Sequence, residues 1–146
     1  MGVASLGDVD ITLGVMGNAA FRSPTVGARK ALAARFGLPY SDDMQDWEWE
    51  VADAERFDEF VGVYRLAELS DDERFSLMEV LVQCAEDMEL QSNYDTAWSA
   101  IESLLLSRPS LHWSTVAYWA CLHEAEPVAL FRVSGNMRHV WSVISA

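Results

Sequence analysis

Positive charge is scarce in this sequence: ten Lys and Arg face 23 Asp and Glu, for a net charge of −13. A field of that sign repels nucleic acid and anionic membrane surfaces, so neither is expected as a partner. Cysteine is almost as rare. Cys84 and Cys121 both fall in apolar runs and are too few for a disulfide framework, which fits a reducing compartment. No basic start leads into an unbroken apolar stretch with a cleavage site, and no run approaches the roughly 20 apolar residues of a membrane span. Met1-Gly2 also lacks the hydroxyl residue at position six that a myristoylation signal wants. A soluble, unanchored, cytoplasmic protein is the expectation.

Recognisable chemistry is missing as well. The three histidines, His112, His123 and His139, belong to no H-E-x-x-H or Cys/His ligand pattern. On one helix His112 and His123 would lie about 16 Å apart and could not share a metal ion. The glycines of LGVMGNAAF and VGARK match neither G-x-x-x-x-G-K-[ST] nor G-x-G-x-x-G, so no phosphate cradle is indicated. Neither cysteine has a local base or a glycine elbow beside it, and a buried cysteine behaves as a small apolar residue. No catalytic residue, metal ligand or cofactor is expected.

What is present is core material and an uneven distribution of charge. Apolar residues make up 51% of the chain, among them six Trp, six Phe and four Tyr, which is ample for one core in a domain of this size. Residues 1–41 carry +2 and residues 103–146 carry +1, whereas residues 42–102 hold 19 acids against three bases, or −16. The acidic excess lies entirely in the middle. It suits either general solubility or the steering of a basic partner.

The patterning is helical. Ser23-Pro24 reads as an N-cap followed by proline at the first helical position, with Gly37 as the stop, predicting a helix over about 24–36. Asp53 reads as the cap of a helix to about Ala67. Ser70 and Glu73 form a capping box that opens a helix with two apolar stripes, Phe75, Met78, Val82, Ala85 and Leu77, Leu81, Cys84, Met88, the mark of a central helix. Asn93 or Asp95 would cap a helix carrying Trp98, Ile101, Leu104 and Leu105, and Pro109 marks the break to the next. SLHWSTVAYWACLHE is apolar nearly all round, PVALFRV reads as briefly extended, and Ser134 would cap a last helix through Ile144. At the N-terminus Val9, Ile11, Leu13 and Val15 alternate as in a short strand, while the glycine-rich composition of residues 1–22 also suits an extension outside the domain. The expected fold is an all-α or nearly all-α single-domain bundle spanning 1–146. Three successive helix pairs are also compatible with helical-repeat stacking.

One stretch combines both unusual features. DDMQDWEWEV at 42–51 interleaves five acids with Trp47 and Trp49. If extended, both indoles share one face with Val51. If helical, as its Asp, Glu, Gln and Met content favours, Trp47 joins Met44, Val51 and Ala54 while Trp49 points some 200° away. Trp47 then reads as core and Trp49 as an anchor for a partner. Asp42, Asp43, Asp46, Glu48, Trp49, Glu50 and Asp53 are therefore the expected partner-binding residues. Asp71, Asp72 and Glu73 sit at a helix start and complement its dipole instead.

The strings MQDWEWEVAD, FSLME, LHWSTVAYW and FRVSGNMRHVW, spanning about 38–141, resemble a pattern of small acidic bacterial proteins to which no activity is attached. In type they resemble the immunity proteins of polymorphic toxin systems, which bind a cognate toxin domain and block it. That resemblance implies a non-enzymatic protein whose partner is a basic toxin domain. The competing expectations are a small enzyme using carboxylates or His112 and His123, and a helical adaptor or scaffold.

Overall fold

The computed structural model describes residues 21–122 and 131–146, which form seven α-helices and, among the described residues, no strand. The fold is all-α. The alternating residues 9–15, the extension up to residue 20, His123 and the start of PVALFRV lie outside the described residues. By internal contacts the described residues divide into two compact units, residues 23–101 and residues 102–122 and 131–146 together with Phe21 and Arg22.

In the first unit α1 spans Val26–Phe36. It starts two residues later than Ser23-Pro24 suggests, because the Thr25 hydroxyl accepts the Ala28 amide at 3.1 Å and Thr25 itself is extended. Gly37 ends the helix as expected, at φ 68°, a left-handed conformation that favours glycine. Ala28, Leu32, Ala33 and Phe36 form its buried face. Next comes the five-residue α2, Trp47–Val51. Asp53 then caps a single 3₁₀ turn, Ala54–Arg56, its carboxylate accepting the Glu55 amide at 3.0 Å, and α3 follows over Phe57–Tyr64.

The predicted end at Ala67 is therefore three residues too late. Arg65 and Leu66 bond back to Gly62 and Val63 in tightened i to i−3 fashion. The buried guanidinium of Arg74 then draws off the carbonyls of Tyr64, Leu66 and Leu69. A helix cannot continue once its carbonyls are committed elsewhere.

Helix α4, Asp71–Glu86, opens with the reciprocal bonds its sequence encodes: the Ser70 hydroxyl accepts the Glu73 amide at 3.1 Å, and Glu73 accepts the Ser70 amide at 2.8 Å. Residues 74–78 and 80–85 are all buried, and α1, α2 and α3 each pack against it. The two stripes read from the sequence, apart from Met88, which lies past the helix end, thus mark a helix surrounded by neighbours. Because the cap lies at its entry, Ser70→Ala is expected to cost about 1 kcal/mol. Thermal denaturation followed by circular dichroism should show a midpoint lower by roughly 2–4 °C.

Helix α5, Gln91–Ser107, begins before both expected caps; Asn93 and Asp95 lie inside it, and Gln91 bonds Asp95 one turn on at 2.8 Å. Its stripe of Tyr94, Ala97, Trp98, Ile101, Leu104 and Leu105 is buried, and the division between the units falls after Ile101. In the second unit α6 runs from Pro109, at its first position, to Ala120, with residues 111–117, 119 and 120 buried. Helix α7 is Ser134–Ile144, and Val133 rather than Ser134 occupies its cap position. The Ser134 hydroxyl is otherwise engaged, donating to the Trp119 carbonyl at 2.8 Å. Arg138 donates to the carbonyls of Ala120 and Cys121, each at 2.7 Å. Side chains of α7 thereby satisfy the last carbonyls of α6, which turns off through Cys121 at φ 52°.

Candidate binding surface around Trp49

DDMQDWEWEV resolves into a turn and a short helix. On α2, Trp47, Val51 and Glu48 fall within one arc of about 100° and Trp49 on the far side. Burial follows that arc. Trp47 is wholly buried, its indole N–H donating to the Pro39 carbonyl at 2.8 Å, and Val51 is buried beside it. Trp49 is 64% exposed. Two tryptophans separated by one residue thus serve different ends, one in the core and one in solvent.

A five-residue helix is too short to hold itself together, since nucleation is costly and Asp46 makes no side-chain cap bond. Arg29, from α1, supplies what is missing. Its guanidinium grips Glu48 through two bonds, Nε to Oε2 at 2.8 Å and Nη2 to Oε1 at 2.6 Å. It also donates to the carbonyls of Gln45 at 3.0 Å and Met44 at 3.4 Å. The bond to Glu48 raises the Arg29 pKa further, so the brace stays charged. Glu48 was expected to face a partner and does not. It is 6% exposed and committed to Arg29, because it lies on the same arc as Trp47.

The other expected residues are exposed: Asp42, Asp43, Asp46, Glu50 and Asp53 all face solvent. Asp42 accepts the Tyr40 hydroxyl at 3.2 Å, and Asp53 is partly occupied by its capping bond. Among the described residues, no Lys or Arg forms an ion pair with any of these five. The nearest cations in sequence are engaged, Arg35 with Glu68 at 3.7 Å and Arg56 with Glu59 at 2.8 Å. The result is an exposed indole on braced ground, with unneutralised carboxylates along the same segment.

Residues considered for chemistry are placed less openly. Cys84 and Cys121 are both free and buried. Burial pushes the Cys84 thiol up to about 12, so it stays protonated at neutral pH and is a poor nucleophile. His112 is wholly buried in α6 and His139 is exposed on α7. Among the described residues, no three His, Cys, Asp or Glu side chains converge as a metal site, and no helix is long and apolar enough to cross a membrane.

Sequence reasoning missed Arg29. It lies outside the acidic block, and nothing in one dimension pairs it with a carboxylate 19 residues on. A partial signal existed: the helical arc that buries Trp47 also buries Glu48, and a buried carboxylate demands a cation. Comparison of the chain with family models, curated proteins and solved structures finds no match.

Proposed function

We propose that this chain is a non-enzymatic binding protein of the immunity type, which neutralises a basic toxin domain in the cytoplasm through the surface around Trp49. The observation that carries the reading is the 64% exposure of Trp49 on a segment otherwise locked in place. A scattered exposed apolar side chain is unremarkable on its own. An indole held on a braced helix is different, because little backbone entropy remains to be lost on binding. Tryptophan is among the residues that most concentrate interface energy, and unpaired acids around it speed encounter with a basic surface. The −16 block between residues 42 and 102 extends that field well beyond the site.

Co-expression with a basic toxin domain tests the proposal, and the expected result is rescue of growth and recovery of a complex. Within such a complex Trp49→Ala should weaken binding by about 2 kcal/mol or more. Neutralising Asp42, Asp43 or Glu50 should chiefly slow association, with an effect that shrinks as salt is added. Growth that is not rescued, or affinity that is flat across ionic strength, would sink the idea.

A further inference from the structure

Resting on that reading, we propose that the outer face of the Trp49 indole receives an arginine side chain projected by the basic partner. The ring face carries the negative end of the aromatic quadrupole and attracts cations, tryptophan most strongly. This protein uses the same contact repeatedly inside its own fold: Arg56 lies 5.8 Å and 5.5 Å from the ring centroids of Phe36 and Phe60, Arg74 5.7 Å from Tyr64, and Lys30 5.9 Å from Tyr40. Among the described residues, Trp49 has neither a ring nor a cation over it. A cation on its outer face would come from a partner.

Electrostatics selects a cation over an apolar pocket as the occupant. Asp46 stands one helical turn before Trp49, where its carbonyl accepts the Trp49 amide at 3.0 Å, and Glu50 follows directly. An apolar pocket closing over the indole would strip water from these carboxylates and give nothing in return, a severe penalty for charged groups. A guanidinium on the ring offsets it, since its edge N–H groups can reach a carboxylate while its plane stacks on the indole. Lysine fits less well: its ammonium is a compact, strongly hydrated point charge, whereas the guanidinium is flat and more weakly hydrated. The Arg29 brace and the buried Trp47 fix the backbone that carries the ring before the partner arrives.

The test uses the full chain with two synthetic peptides of equal length and charge, tetra-arginine and tetra-lysine. Binding is followed by the chemical shift of the Trp49 indole N–H, assigned with Trp49→Phe, and by calorimetry. The expected result is tighter binding of the arginine peptide, by roughly two- to fivefold for a contact at an exposed site. Trp49→Leu should erase that preference while leaving salt-dependent binding of both peptides, and Trp49→Phe should keep part of it. The variants report on binding alone if their melting temperatures match wild type, which the exposure of Trp49 leads us to expect. If both peptides bind wild type equally and salt-sensitively, or if Trp49→Leu retains the preference, the arginine contact is overturned and the acidic docking surface stands. If neither peptide binds at low ionic strength, the docking reading falls with it.

Discussion

Trp47→Ala is expected to destabilise the protein by about 3–5 kcal/mol, the range for emptying a large aromatic site in a packed core. Its thermal midpoint should fall by on the order of 10 °C or more. Trp47 is among the largest wholly buried side chains, on a helix of only five residues that packs against α4. Removing it leaves a cavity the short helix can fill only by shifting, and shifting breaks the Arg29 bonds to Glu48 and to the carbonyls of Met44 and Gln45. Trp47→Phe keeps most of the ring but loses the donor to the Pro39 carbonyl, and should cost about 1–2 kcal/mol. Trp49→Ala, two residues away, is the internal control: as an exposed site it should stay within about 0.5 kcal/mol of wild type. Chemical denaturation of the three variants checks the contrast. Equal losses at 47 and 49 would show that the division of labour between the two indoles is wrong.

That division was legible in the sequence because a helix sets neighbours 100° apart, so a buried Trp47 places Trp49 outside. The same arithmetic placed Val51 inside. Glu48 lies on that arc too, 100° from Trp47, although as an acid it is expected among the partner-facing residues. Elements with a strong periodic signal were recovered well: α4 starts at the capping box, and α6 is buried around nearly its whole circumference. Boundaries fared worse wherever two residues offered the same chemistry. Ser23 and Thr25 both carry a hydroxyl, and the choice rests on which one meets the Ala28 amide. Ser134 is a good cap by type, but a carbonyl on α6, fifteen residues earlier, takes its hydroxyl. Such choices depend on a partner distant in sequence, so local pattern cannot make them.

Composition sets the charge imbalance, and the arginines show where the few cations go. Arg29, Arg56, Arg74 and Arg138 each donate to backbone carbonyls: those of Met44 and Gln45, of Phe36, of Tyr64, Leu66 and Leu69, and of Ala120 and Cys121. Scarce cations are thus spent on loop and helix-end carbonyls. Glu48 and Glu59 are each doubly bonded to one of these four, and Arg56 holds Glu59 below its ordinary pKa through that bond. The acids of the Trp49 surface are left over by this arrangement.

Arg74 is the extreme case, and Arg74→Met is expected to cost about 3–5 kcal/mol, comparable to breaking a buried charged network. Its residue exposure is 5%, and its donors reach Tyr64 O at 3.0 Å, Leu69 O at 2.6 Å and Leu66 O, fastening the whole turn between α3 and α4. Methionine fills similar volume, so the loss isolates the hydrogen bonds from cavity formation. Each carbonyl left buried without a donor forfeits about 1–3 kcal/mol, reduced where water can enter the loosened turn. Arg74→Lys keeps the positive charge but not the fork that meets three carbonyls at once, so it should recover only part of the loss. Urea denaturation gives the magnitudes, and amide exchange through residues 65–70 locates them, with the turn opening in Arg74→Met well before α4. If Arg74→Met were as stable as wild type, the cost of burying the guanidinium would equal its bonds. The early stop of α3 would then need a cause other than the capture of its carbonyls.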